Sequence, residues 1–361
     1  MTRTSCKSSP RRILVFALLV LALFGCTPRA EISPPESPTA PPRLETVAGL
    51  SAEEMRTLAS LEMVDDYPLY VMHFYASYDL NDSVPVPEDL HHDSGAFECC
   101  EPWACSLFTA LSDETNMLFG RNFDWDFSPA MLLFTHPSQG YASVSVVDIA
   151  YFGFGGARAG NLMDLSLAER SALLQAPLLP FDGMNERGLT IGMAEVPPGD
   201  MVPDPQKETI GSVRVIRMIL DQAADVDEAL SIMRNHNIDM SGGPPLHYLI
   251  ADRKGRSALV EFYRGEMVVI DNHEPWHLAT NFLRSEAAGS DEGFCWRYDT
   301  IYQRLESTAG KISTQQAMDL LQDVSVAGTQ WSVVYGMSTG EILISMGRQY
   351  EERHSFNLPT P

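Results

Sequence analysis

Residues 246–271 read LHYLIADRKGRSALVEFYRGEMVVID: apolar runs a few residues long, with the turn DRKG between the first two. Short runs rich in Val, Ile, Leu, Tyr and Phe, joined by tight turns, form antiparallel strands. The pattern recurs along the chain. SLFTAL and MLFGRNFDW flank the turn SDETN, GLTIGMAEV follows the turn DGMNER, and QWSVVYGMSTGEILISM reads as a hairpin. YASVSVVDIAYFGF is β-rich as well. Helical periodicity is confined to fewer places. At 51–76, Ser51 stands three residues before Glu54 in a capping-box pattern, which predicts an apolar helix that takes in Leu61, Met63, Tyr70 and Met72. LSLAERSALLQA (165–176) predicts a second helix, 212–236 one or two amphipathic helices, and the stretches near 298–306 and 314–323 two more. Strands, then helices, then strands again point to an α+β fold of stacked layers with antiparallel sheets, not to alternating βαβ units.

The first 25 residues are set apart from this pattern. Lys7, Arg11 and Arg12 precede the apolar run ILVFALLVLALFG, which is too short to span a bilayer comfortably and suits a signal-peptide core. The run ends in Leu23-Phe24-Gly25-Cys26, which resembles the bacterial lipoprotein signal, where the cysteine carries the lipid after cleavage. After Cys26, residues 26–50 run through the proline-rich TPRAEISPPESPTAPPRLE, a tether by composition. From Cys26 onward the chain carries 21 basic and 48 acidic side chains, a net of −27. So acidic a surface repels nucleic acid and anionic membranes, which leaves the lipid as the means of attachment at a periplasmic or outer cell surface.

An exported chain can form disulfides. With Cys6 removed and Cys26 acylated, Cys99, Cys100, Cys105 and Cys295 remain. HHDSGAFECCEPWAC offers His91, His92 and three cysteines as soft metal ligands, but without the C-x₂₋₄-C spacing of a zinc knuckle. Cys99 and Cys100 have Cys295 as a disulfide partner, and a lone Cys105 is by default a small buried hydrophobe. Cys105 also has neighbours at fixed distances. Arg121 lies 16 residues on and Asp124 lies 19 on, in FGRNFDWDF. If 105–111 and 117–124 pair as a hairpin, both side chains come beside Cys105. A guanidinium favours thiolate, and a carboxylate can hold an ammonium group.

The pattern C(S/T)…FGRN(x)DW resembles the linear-amide branch of the N-terminal-nucleophile hydrolases, which includes bile salt hydrolases, penicillin V acylase and acid ceramidase. The likeness extends over roughly 105–345. DGMNERGLTIGMAEV is similar to the family's NExGL turn and strand, and Glu195 takes the place of an asparagine in bile salt hydrolases and matches the glutamate of the ceramide- and ethanolamide-cleaving members. Asn281 in LATNF stands where the family keeps an oxyanion-stabilising asparagine, and Arg297 in CWRYDTIYQRL where it keeps a second arginine. LHYLIADRKGRSALVEF is similar to a central hairpin whose role is mainly scaffolding.

The resemblance implies a four-layer αββα sandwich of two antiparallel sheets flanked by helices. With the signal peptide at 1–25 and the tether at 26–50 read from the N-terminal residues, it implies a propeptide or small subunit at 51–104 and a catalytic domain at 105–361. Cleavage between Ala104 and Cys105 would free an α-amine that acts as the thiol's own base, so no histidine, metal or cofactor is needed. Asp124 would orient that amine, Arg121 would favour thiolate, Asn281 would bind the oxyanion, and Glu195 and Arg297 would hold the network and touch substrate. The partner is then a small N-acyl amide, fatty-acyl amides being favoured by Glu195, with the propeptide retained as a small subunit that a disulfide of Cys99 or Cys100 to Cys295 could tie. Residues 151–181 are the candidate acyl-binding lid. An acyltransferase of the same fold, or a non-catalytic surface lipoprotein, are the competing readings.

Overall fold

The computed structural model describes residues 47–84, 104–199, 202–287 and 293–360. The chain runs α1 (Ala52–Ala59), β1 (Glu62–Asp65), β2 (Leu69–Phe74), β3 (Ser106–Ala110), β4 (Leu118–Asp124), β5 (Ala130–Thr135), β6 (Ser143–Asp148), β7 (Asp182–Asn185), β8 (Thr190–Glu195) and β9 (Glu208–Gly211). It continues through α2 (Arg214–Gln222), α3 (Val226–Asn235), β10 (His236–Asp239), β11 (Leu246–Ala251), β12 (Ser257–Tyr263), β13 (Glu266–Asp271) and β14 (Trp276–Ala279). It closes with α4 (Trp296–Ser307), α5 (Thr314–Asp323), β15 (Thr329–Gly336), β16 (Glu341–Met346) and β17 (His354–Asn357).

Two sheets stack between helices. One has nine strands in the order β1-β2-β5-β6-β7-β8-β11-β12-β13, the other six in the order β14-β3-β4-β15-β16-β17. Inward-facing side chains merge into one core, with Leu107, Phe119 and Trp331 from the six-stranded sheet joined by Leu132, Val146 and Leu249 from the other. The sheets approach closely at Gly192 of β8, where an added Cβ would lie 2.8 Å from Leu107 Cδ2 of β3. Helices α4 and α5 cover the outer face of the smaller sheet through Tyr298, Ile301, Leu305 and Leu321, and α2 and α3 pack on the larger one. This is the expected αββα order. Pairing within the two sheets is antiparallel except for β2 with β5, and a separate parallel ribbon joins β9 to β10.

Of the predicted helices, one is cut short and one winds as a 3₁₀ helix. At 51–76 the capping box forms as expected, Ser51 Oγ accepting from Glu54 N–H and the Glu54 carboxylate from Ser51 N–H, but the helix stops at Ala59. Leu61 lies just past the helix, and Met63, Tyr70 and Met72 lie in or on strands β1 and β2. Pro68 cannot donate to a helix and clashes with the preceding turn, whereas β5 offers β2 a complete ladder. At 165–176, Ser166 and Glu169 again exchange capping bonds, but Pro177 lies inside the following segment and Ser171–Leu178 winds as a 3₁₀ helix. The β-rich stretch at 141–154 likewise ends as a strand at Asp148, which caps a 3₁₀ turn, Ile149–Phe152. The 212–236 segment splits into α2 and α3, with Asp225 capping the second. The signal segment with Cys26, all but the last few residues of the tether, His91, His92, Cys99 and Cys100 lie outside the described residues.

Candidate active site

The hairpin β3–β4 brings the first elements together. Its register pairs Ser106 with Asn122 and Leu107 with Arg121, so one step further sets Cys105 against Phe123 and Ala104 against Asp124. Cys105 is buried, and the Asp124 backbone N–H and the Arg121 guanidinium both reach its thiol. Burial nevertheless outweighs these contacts and pushes the thiol's pKa up. Arg121 acts in the expected direction, lowering the thiol's pKa, but in the intact chain burial is the larger effect. The arginine's charge is also shared with a carboxylate. Arg121, fully buried, forms an ion pair with Asp182 and donates to the Phe181 carbonyl at 2.8 Å.

Asp182 is a residue that the sequence patterns did not single out. It opens the DGMNER segment, accepts from the Tyr335 hydroxyl and lies 3.4 Å from Trp331 Nε1. The only signal was indirect: an arginine on a strand buried on both faces demands a buried counter-charge. Asn185 of the same turn has a structural part. Its Oδ1 accepts from the N–H groups of Arg187 and Leu189, and its Nδ2 donates to the Leu220 and Ala223 carbonyls at the end of α2. Gly188 closes this turn at φ +77°, a left-handed conformation that side chains resist.

Asp124 ends β4 fully buried. Thr329 Oγ1 donates to its Oδ1 at 2.5 Å, while Oδ2 has no hydrogen-bond partner among the described residues. Burial lifts its pKa to about 7, against the opposing pull of Thr329, Arg297 and Arg121. Glu195, at the end of β8, is raised to about 7 by burial, and its Oε2 is likewise without a partner among the described residues.

Asn281 follows β14, and Arg297 opens α4, both buried. Arg297 donates to the Cys105 carbonyl at 2.5 Å, to Ser106 Oγ at 2.9 Å and to Asn281 Oδ1 at 3.1 Å. Asn281 Nδ2 donates to the Glu195 carbonyl at 2.8 Å. An amide nitrogen carries two hydrogens, so a second donor is left for the pocket.

Cys105, Arg121, Asp124, Glu195 and Asn281 line one cavity of about 750 Å³, its opening to solvent included, and Arg297 stands behind it. The six residues singled out from sequence thus meet at one place. Ala104, at the expected cleavage point, is buried directly before Cys105. Apolar walls come from Phe123, Trp125, Tyr151, Leu179, Phe181 and Leu246. Of the candidate lid 151–181, only Tyr151, Leu179 and Phe181 reach the cavity; Phe152, Phe154, Leu162 and Leu173 pack in a core with β2 and β5. Gly242, Gly243 and Pro244 form a wall that no periodicity announced. Cys295 is the buried N-cap of α4, and its expected partners, Cys99 and Cys100, lie outside the described residues.

Residues 105–281 match the family described as linear amide C-N hydrolases, choloylglycine hydrolase family, a match that starts at Cys105 and ends at Asn281. Among solved structures, a mutant conjugated bile acid hydrolase from Clostridium perfringens covers 70% of this chain and 92% of its own at 16% identity, with a TM-score of 0.50. Penicillin V acylase from Agrobacterium tumefaciens covers 67% and 83% at 15% identity, with a TM-score of 0.47. The N-acylethanolamine-hydrolyzing acid amidase ortholog of Caenorhabditis elegans covers 71% and 100% at 13% identity, with a TM-score of 0.44. The first of these shares its fold with this chain.

Proposed function

We propose that this chain, whose residues 105–281 match the linear amide C-N hydrolase family, is such a hydrolase with Cys105 as its nucleophile, freed as a chain terminus by cleavage after Ala104. One observation carries this reading. A fully buried carboxylate oxygen, Asp124 Oδ2, has no partner among the described residues, and strand register sets Asp124 beside the Ala104–Cys105 peptide. An orphaned buried carboxylate is costly to keep. A newly released α-amine at Cys105 would give it a partner.

Activation then runs as an N-to-S acyl shift. Cys105 Sγ attacks the Ala104 carbonyl carbon, the thiol proton passes to the departing amide nitrogen, and the C–N bond breaks. Water hydrolyses the resulting thioester, leaving a carboxylate on Ala104 and a free thiol and amine on Cys105. In turnover the amine, with an ordinary pKa near 7.7–8.0, takes the thiol proton as sulfur attacks a substrate amide. Asn281 Nδ2 and backbone N–H groups face the oxyanion, a donor of this kind being worth about 2.7–4 kcal/mol. The apolar walls suit an uncharged acyl chain, so the substrate class is N-acyl amides.

The segment before Cys105 stays bound in this reading. β2 is hydrogen-bonded along its length to β5, Tyr78 donates to the Asp221 carboxylate at 2.8 Å, and Arg214 donates to the Leu80 carbonyl at 2.8 Å. As a small subunit carrying lipid on Cys26, it would anchor the catalytic part at the cell envelope; a Cys26→Ala variant should leave the membrane fraction.

Intact-mass analysis and N-terminal sequencing of the purified protein test the reading. Two chains, the larger beginning at Cys105, and an uncleaved Cys105→Ala variant are expected. An active protein with the 104–105 bond whole defeats it.

A further inference from the structure

Outside the pocket the structure holds a second buried cluster of charged and titratable side chains. Ser257 and Glu261 lie four residues apart on one face of β12. The Glu261 carboxylate, fully buried, accepts from the backbone N–H of Arg284 and of Ser285, each at 2.8 Å. His247 of β11 places Nδ1 3.4 Å from the same carboxylate. Ser257 Oγ lies 3.2 Å from His277 Nδ1, and His277 Nε2 lies 2.9 Å from an Nη of Arg284.

These contacts share one target. His277 comes four residues before Asn281, and Arg284 and Ser285 come three and four after it. The two N–H groups taken by Glu261 begin a turn closed by Glu286 N–H to the Leu283 carbonyl and Ala287 N–H to the Arg284 carbonyl. Glu261 thus caps from another sheet the turn that follows Asn281, and Ser257 holds the strand that precedes it. Burial alone would raise the Glu261 pKa, but the bonds from His247 and Ser285 outweigh it and leave the carboxyl below its ordinary range. A position needing only to be filled would take an apolar side chain without the desolvation cost of a carboxylate. What the carboxylate adds is direction: two acceptor oxygens that fix two consecutive backbone N–H groups.

We propose that Glu261 is a positioning residue, which with Ser257 sets the loop so that Asn281 Nδ2 points into the pocket. This rests on the reading of Asn281 as an oxyanion donor.

The test is a double-mutant cycle on processed enzyme, with a medium-chain N-acyl aminomethylcoumarin as substrate. Asn281→Ala should lower kcat about 10²- to 10³-fold. Glu261→Gln should lower kcat about 10- to 100-fold, the usual scale for an outer partner, with KM within about threefold. On the Asn281→Ala background Glu261→Gln should add less than about threefold, because it acts through a side chain already gone. Multiplying losses, or an unchanged kcat in Glu261→Gln, overturn the proposal. Ser257→Ala, which removes one hydroxyl, should show a smaller loss that Asn281→Ala likewise absorbs; it decides the matter if Glu261→Gln does not fold. An Asn281→Ala enzyme as fast as the wild type removes the oxyanion reading itself.

Discussion

Arg297 donates to the carbonyl oxygen of Cys105 at 2.5 Å, across 192 residues of sequence. The same guanidinium holds Ser106 Oγ and Asn281 Oδ1, so one buried side chain fixes both the backbone of the proposed nucleophile and the candidate oxyanion donor.

That arrangement makes lysine a poor substitute. A lysine has one nitrogen and cannot reproduce the planar fork that meets three acceptors. Arg297→Lys is expected to slow both chain cleavage and turnover by about tenfold or more, read as the fraction of uncleaved chain over time and as kcat. Wild-type kinetics in this variant would show that the contact is incidental.

The Arg121–Asp182 pair is buried on both sides. Removing one charge strands the other, a loss of about 3–5 kcal/mol. Asp182→Asn also weakens the bonds from Tyr335 and Trp331. In the Cys105→Ala background, which keeps processing out of the comparison, urea unfolding should report a loss of that size. A change below about 1 kcal/mol would mean that the pair contributes no more than a surface one.

Precursor stability should fall as pH rises. Asp124, Asp148 and Glu195 are raised by burial to about 7, well above their unfolded values. Between the unfolded value, about 4, and 7 the folded chain therefore holds more protons, and stability is lost as pH climbs through that window. His277, pushed down to about 3 by burial, works in the opposite sense: its contribution is present above the unfolded histidine value and is lost as pH falls. His73 is lowered by burial as well, so three raised carboxyls, joined by Asp221, oppose two histidines and outweigh them. Cys105→Ala precursor should melt several degrees higher at pH 5 than at pH 8, and Asp124→Asn should narrow the gap. Equal melting temperatures at the two pH values would contradict the assignment.

Glu195 should mark the pH profile of the mature enzyme. Protonated, its carboxyl can donate into the pocket; ionised, it is a desolvated charge whose Oε2 has no partner among the described residues. kcat/KM should therefore decline as pH rises through about 7, and Glu195→Gln should lose that limb. Retention of the limb in the variant would assign it to another group.

Much of the fold could be read locally. Ser51 and Glu54 form their capping box, Asn185 and Gly188 make their turn, and the strands at 106–110, 118–124, 246–251 and 257–263 fall where alternation and turn residues put them. A hairpin's register follows from its own turn, which is why Arg121 and Asp124 could be set beside Cys105 from spacing alone.

Elsewhere local preference was outvoted. Residues 61–74 carry apolar residues that suit a helix, yet they are strands, because β5 supplies a backbone ladder that a helix at Pro68 could not match. The partner of Arg121 is 61 residues away, and that of Glu261 is a pair of backbone N–H groups that no side-chain pattern encodes.

Sequence by itself determined the hairpins, the caps, the α+β order of elements and the presence of a cysteine with arginine and aspartate at hairpin distance. Tertiary structure alone decided that burial raises the thiol's pKa, that Asp182 takes the arginine's charge, and how Arg297 bridges Cys105 and Asn281. The division is physical. Backbone periodicity and turn chemistry act over a few residues, whereas desolvation and ion pairing depend on which distant surfaces the folded layers bring together.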